Sequence, residues 1–291
     1  MSCEEYILAS TVEEALAALA SLRGEGRLIA GGTDLVLQLQ HGERKARCLV
    51  DITRIPGLNE IRWQDSYIVI GAAVTFAQIE RSALIRQRAT VLAEAASWVG
   101  SPQIRNVGTL AGNIVNAQPA ADGAIALLAL DAEAEIANLT GRQWVALANL
   151  FVSPGVSRVD ASSEMITAFR FRAHGPREAS AFERLARRKA LALPLINVGV
   201  RVMLDAEGVR MRDVRISIGP VAPMPFRAQQ AEAVLKNRVI DQDTLTEAVE
   251  AAVLESKPRS SLLRAGKEYR RELIRVLTRR ALLRAIEAAR G

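Results

Sequence analysis

Apolar residues recur at helical spacing from Thr11 to Leu22, and Thr11 followed three places later by Glu14 forms a capping box at its start. Gly24 and Gly26 end that helix, and Arg27 to Ala30 reads as a short buried strand. Thr33 to Gln40 predicts a short helix, Cys48 to Ile52 a strand, and Ile55-Pro56-Gly57 a turn. These pieces make a small α/β lobe over about residues 1–55. A second lobe, about 56–175, opens with strands at Ile61 to Trp63 and Tyr67 to Ile70. Helices follow from Thr75, boxed with Gln78, and from Thr90 to Val99. Ser101 to Gln118 carries few helix signals and is expected to be extended and irregular. Asp122 stands where it would cap a buried helix, Gly123 to Leu130, and Ala134–Asn138 with Gln143–Leu147 predicts a hairpin. Met165 to Arg172 closes the lobe as a strand.

After His174-Gly175-Pro176 the composition turns basic, which puts a domain boundary at residue 175 and a second domain at 176–291. Val198 to Leu204 and Val209 to Ile218 alternate as strands, and helices are expected at Arg227–Leu235, Thr244–Leu254 and Lys267–Ala289. The class is therefore α+β, with a small antiparallel sheet beside helices in the last domain. The basic excess after residue 180 is read as Arg-rich helical surface. On the last helix, Lys267, Arg271, Arg275 and Arg279 recur every four residues as one stripe, while Leu273, Ile274, Leu277 and Ala281 form the face to be buried. A solvated stripe is the plain reading; steering of an acidic partner is the other.

Two glycine loops of similar design stand far apart: Leu28-Ile29-Ala30-Gly31-Gly32-Thr33-Asp34-Leu35 and Gly108-Thr109-Leu110-Ala111-Gly112-Asn113-Ile114. Glycine lets successive N–H groups turn toward one concave point and lets a ligand approach the main chain. One such loop is often only a turn; two suggest a diphosphate held from both sides. A side chain at Gly32 would, on this reading, fill the approach to that diphosphate.

Composition narrows the field. With 49% hydrophobic residues in 291 the chain can bury full cores, and 4% aromatics leave little for base stacking. A net charge of +6 without interleaved aromatics argues against a nucleic-acid groove. Cys3, Cys48, His41 and His174 are too few and scattered for a protein-held metal or cluster. No apolar run reaches ~18 residues and the first residues lack a signal core, so a cytoplasmic protein without a membrane span is expected. The dinucleotide fingerprint G-x-G-x-x-G, a phosphate-loop Gly-Lys-Ser/Thr and a G-x-S-x-G elbow are all missing.

Single residues carry two readings each. Asp122 is a helix cap first and a partner for a ribityl or ribose hydroxyl second. Asn113 either steadies its turn or faces a ligand. Arg184, Arg187, Arg188 and Lys189 read as a solvated charge run, and Trp63, Trp98 and Trp144 as core or rim.

Taken together, Ala30 to Leu35, Pro102 to Ile114, Ala117-Gln118-Pro119 leading to Asp122, and the tail Pro258-Arg259-Ser260-Ser261 with Lys267-Glu268-Tyr269-Arg270 resemble the flavoprotein (medium) subunit of the xanthine dehydrogenase / carbon monoxide dehydrogenase family of molybdenum hydroxylases. The resemblance spans essentially the whole chain and is greatest to the bacterial xanthine dehydrogenase medium subunits. It implies a two-lobed FAD-binding fold of the vanillyl-alcohol-oxidase (PCMH) type followed by a separate C-terminal domain. By position it implies that Leu28, Ile29, Ala30, Gly31, Gly32, Thr33, Asp34 and Leu35 wrap the FAD diphosphate. Thr109, Gly112 and Asn113 would form the facing wall, Asp122 would hold a cofactor hydroxyl, Ile166 would pack near the flavin, and Arg184 would keep a positive charge beside it.

It further implies an electron-transfer role with no catalytic side chain and no metal on this chain. Electrons would pass from a small [2Fe–2S] subunit through FAD to NAD or another acceptor, with substrate oxidised on a large molybdopterin subunit, in a heterotrimer or its dimer. Alternatives are a carbon monoxide, nicotinate or aldehyde dehydrogenase medium subunit, or a stand-alone flavin oxidoreductase of the same fold. The last needs its own proton donor, for which the sequence offers no clear candidate. Ala111, Gln118, Val99 and the stretch Ala190 to Pro194 depart from the family pattern, and they bear on the electron acceptor more than on FAD.

Overall fold

The computed structural model describes residues 3–188, 190–260 and 265–291. Lys189 and Ser261, named above in the charge run and the tail motif, lie outside them.

The first lobe is a three-stranded parallel sheet. β1 (Glu5–Leu8) and β2 (Gly26–Ile29) flank β3 (Cys48–Asp51), with α1 (Val12–Ser21) and α2 (Leu35–Gln40) in the crossovers. Thr11 caps α1 by accepting the Glu14 N–H. α2 begins two residues later than its sequence predicts, so Thr33 and Asp34 belong to the loop before it. β1 went unread because its residues are mostly exposed and show no alternation.

The second lobe is a five-stranded antiparallel sheet in the order β4 (Ile61–Gln64), β5 (Tyr67–Gly71), β10 (Met165–Arg172), β6 (Glu133–Asn138) and β7 (Gly141–Ala146). Its inner face carries Ile68, Ile70, Phe169 and Phe171, which pack on the helices that fill the long excursion between β5 and β6. α3 (Phe76–Arg81) starts with the full Thr75/Gln78 capping box, and α4 (Ala83–Arg88) and α5 (Thr90–Ser97) follow. The segment expected to be irregular is instead two short helices, α6 (Pro102–Val107) and α7 (Leu110–Val115). Each has a hydroxyl cap: Ser101 accepts the Ile104 N–H ahead of Pro102, and Thr109 accepts the Gly112 N–H. α8 (Asp122–Ala129) is buried on every side, and the small hairpin β8 (Phe151–Ser153) and β9 (Val156–Ser157) borders the lobes.

The last part is a four-stranded antiparallel sheet, β11 (Glu178–Ala186), β12 (Pro194–Leu204), β13 (Met211–Gly219) and β14 (Phe226–Arg227). α9 (Gln229–Leu235), α10 (Gln242–Glu255) and α11 (Lys267–Arg290) complete it. β11 occupies a stretch to which the sequence assigned no element, and it buries Ala179, Ala181 and Phe182. Of the charge run that follows, Arg187 and Arg188 are exposed as expected, whereas the Arg184 side chain is buried. α11 lays Leu273, Ile274, Leu277 and Ala281 on β11 and β12, as its spacing predicts. Three of the four members of its basic stripe are paired within the domain: Arg271 with Glu268, Arg275 with both Glu250 and Glu272, and Arg279 with the Thr246 hydroxyl. On its other side the sheet presses β12 and β13 against α8 of the second lobe. Ser217 donates its hydroxyl to the Ile125 carbonyl at 2.6 Å across that contact. Among the described residues no helix is long and apolar enough to cross a membrane.

Candidate functional site

A cleft of about 700 Å³ opens between the lobes and is walled on one side by β11 and the connection after it. Every one of the fourteen residues singled out by sequence lies on its wall: Leu28 to Leu35, Thr109, Gly112, Asn113, Asp122, Ile166 and Arg184. The first loop is built from β2 running into α2. Gly32 holds φ +67, a left-handed turn that only glycine adopts without strain. Because of that turn the N–H groups of Gly31, Gly32, Thr33 and Asp34 donate to no acceptor among the described residues. Four consecutive free amides beside a helix start are what an anionic group requires.

Gly32 does not act as the sequence suggested. A side chain there would meet Val36 and Ile29 beneath the loop, so its glycine is set by backbone conformation rather than by room for a ligand. Gly31 is the close-approach residue, packed on the main chain of Val107 and Gly108. In the second loop Thr109 spends its oxygen accepting the Gly112 N–H at 3.2 Å, so that amide belongs to the turn and not to the cleft. The Asn113 Oδ1 atom is buried with no protein partner. A buried amide oxygen left unpaired is costly unless a ligand donor reaches it.

Asp122 is the largest correction. It occupies the first turn of α8 without capping it, since Ala121 is the cap and Asp122 makes no bond to the helix amides. Its Oδ1 instead accepts from Arg184 Nε at 3.2 Å and from Asn197 Nδ2 at 2.6 Å. Burial pushes its carboxyl up to about 6, against the pull of Arg184 and Asn197. Arg184 likewise leaves the solvated run: its side chain is 3% exposed, lies 5.2 Å over the Trp98 ring and donates to the Ala192 carbonyl. It thereby ties β11 to the connection carrying Leu191, Ala192 and Leu193 along the cleft.

Trp98 and Asn197 escaped sequence reasoning. Trp98 lines the cleft under the guanidinium. The signal for Asn197 was present, as one amide inside the otherwise apolar run Leu195 to Val200 needs a buried partner. Arg27 and Arg44 also line the cleft and add positive charge to it.

The fold and cleft define a two-lobed nucleotide-type cofactor carrier with an attached α+β domain. Residues 2–171 match the family described as the FAD binding domain in molybdopterin dehydrogenase, and residues 180–285 match the CO dehydrogenase flavoprotein C-terminal domain. The chain belongs to the FAD-binding medium-subunit family of the xanthine and CO dehydrogenases, that is, of the molybdopterin hydroxylases. It is 34% identical over 289 residues to the xanthine dehydrogenase FAD-binding subunit of Escherichia coli O157:H7, covering 98% of this chain and 97% of that one. The nicotinate dehydrogenase FAD-subunit of Eubacterium barkeri is 35% identical over 248 residues, 83% of this chain and 82% of its own. Among solved structures, a carbon monoxide dehydrogenase from Hydrogenophaga pseudoflava superposes with a TM-score of 0.91 at 28% identity, covering 99% of this chain and 98% of that one.

Proposed function

We propose that the cleft holds one FAD and that the chain is the electron-carrying subunit of a xanthine dehydrogenase-like molybdenum hydroxylase in the cytoplasm. The observation that carries this reading is the run of free amides from Gly31 to Asp34 on the wall of a cleft that Asn113 and Asp122 also line. The residues fit the group: amides and the Arg27 and Arg44 cations for a diphosphate, Asp122 for a hydroxyl, and Trp98, Val99 and Ile166 as apolar wall for a ring. The isoalloxazine supplies one- and two-electron chemistry when bound, while the protein supplies binding, orientation and exclusion of water.

On this reading the [2Fe–2S] and molybdopterin centres belong to partner subunits, which set the substrate, and NAD or another acceptor takes the electrons. Within this chain the cofactor-holding part is residues 1–175, and residues 176–291 close over it. The resemblance to the nicotinate dehydrogenase subunit supports nicotinate-type substrates as the second choice. Purification of the full chain should give a protein with flavin absorbance in the visible range. Co-purification with an iron–sulfur and a molybdopterin subunit, followed by assay with xanthine and then nicotinate, tests the rest. A colourless full chain that takes up no FAD would overturn the reading.

A further inference from the structure

Arg184 and Asn197 are directly opposite each other in the β11–β12 register, and Asn197 is opposite Gly219 in the β12–β13 register. This cross-strand row abuts the start of α8. Asn197 is 0% exposed, and its Nδ2 donates to Asp122 Oδ1 at 2.6 Å and to the Ala120 carbonyl at 3.4 Å. Both neighbours on that side are acceptors, which fixes the amide with its NH2 group there. The third member of the row is glycine for room: a Cβ at Gly219 would lie 2.6 Å from Asn197 Oδ1 and 2.7 Å from the Pro119 carbonyl oxygen. Both donors to Asp122 converge on Oδ1, and among the described residues no hydrogen bond reaches Oδ2. Asp122 is at the cleft wall and Asn197 is behind it.

We propose that Asn197 is a positioning residue for the cofactor: with Arg184 it saturates one oxygen of Asp122, so that the other presents a single fixed acceptor to a hydroxyl of the polyol chain of a flavin. This rests on the FAD reading above. Two donors on one oxygen restrict rotation of the carboxylate, and a pre-oriented acceptor costs less ordering when its ligand arrives. The chemical class selected is a hydroxyl donor at that depth of the cleft.

The test replaces the donor with an acceptor of the same shape. Asn197→Asp in the full apo chain at pH 8 sets one carboxylate against another, with Arg184 the charged group bearing on both. FAD affinity, followed by quenching of flavin fluorescence, should weaken roughly 10- to 100-fold, the range for a hydrogen bond to a charged group. At pH 5 its deficit relative to wild type measured at the same pH should narrow, because adjacent carboxylates share a proton and the shared proton restores a donor, while wild-type Asp122 itself takes up a proton there. The swap Asp122→Asn with Asn197→Asp re-forms a donor–acceptor pair beside Arg184 but moves the carboxylate off the cleft wall. It should regain the wild-type thermal midpoint yet not the FAD affinity. Should the single variant not fold, the swap carries the test alone. Wild-type affinity in Asn197→Asp at pH 8, recovery of affinity together with stability in the swap, or no recovery of its midpoint would each overturn the proposal. A wild-type chain that binds no FAD would instead overturn the reading beneath it.

Discussion

A methyl group on Gly31 would sit 1.9 Å from the carbonyl oxygen of Val107, so the two glycine loops meet backbone to backbone. A glycine here is required by close approach, whereas Gly32 next to it is required by its positive φ.

The distinction predicts an order of severity. Gly31→Ala must push two main-chain segments apart, at an overpacking cost of about 1–3 kcal/mol or more. Gly32→Ala stays clear of the backbone and costs about 1–2 kcal/mol of left-handed strain. Gly31→Ala is therefore expected to lose more thermal stability and more bound flavin than Gly32→Ala. Melting curves and the visible spectra of the two variants check this, and the reverse order would mean the loops are not held by this contact.

Arg184→Met should be among the most damaging substitutions near the cleft. The pair is almost fully buried, with side chains 3% and 7% exposed. Removing the cation leaves the nearly buried Asp122 with the Asn197 amide alone, and breaking a buried pair typically costs about 3–5 kcal/mol. Arg184→Lys keeps the charge but cannot serve Asp122 and Ala192 together, so it should fall between wild type and Arg184→Met. Urea unfolding at pH 7 measures both; equal midpoints for the three proteins would refute the buried pair.

His174 predicts a pH dependence. Burial, with Arg201 and Arg88 nearby, pushes its imidazole down to about 3 from 6.5. Between those values the unfolded chain binds a proton that the folded chain refuses, so stability is lost as pH falls below about 6.5. Asp122 acts in the opposite sense: its raised carboxyl favours the folded state below about 4, and that contribution fades as pH rises through about 6. Comparing wild type with His174→Gln cancels the Asp122 contribution. The variant should lose less stability than wild type between pH 7 and pH 5 in urea titrations, and parallel losses would count against a neutral buried His174.

On α11, Arg275 reaches Glu250 at 2.5 Å and Glu272 at 2.5 Å, but its side chain is 38% exposed. Exposed pairs contribute about 0–1 kcal/mol and are screened by salt. Arg275→Ala should therefore cost no more than ~1 kcal/mol at low salt, with the difference shrinking in 1 M NaCl. A loss that persists at high salt would point to packing by the arginine stem instead.

The glycine loops were legible because their chemistry is contiguous: the turn, the free amides and the threonines occupy neighbouring positions. The capping box at Thr75 and the buried stripe of α11 were legible for the same reason. Asp122 was misread because its sequence neighbours fit a cap, while the residues that claim it come 62 and 75 positions later. A hydrogen bond set by strand register leaves no local trace. Arg184 looked solvated for the same cause, since its burial depends on Trp98 and Ala192 arriving from other elements. The capped helices at Ser101-Pro102 and Thr109 had their signals in plain view, but glycine and asparagine nearby weakened the periodic pattern.

α8 is shared property. Its first carboxylate answers to β11 and β12, its Ile125 carbonyl answers to β13, and its remaining faces pack in the second lobe. A hybrid joined between residues 171 and 180, taking its front from one relative and its back from another, would inherit this helix from one parent and its seat from the other. Such hybrids should work only where the seat offers the same row of arginine, amide and glycine. The two family segments are thus bound to be inherited as a couple, and drift in the helix is constrained by strands, the first of which begins 49 residues after the helix ends.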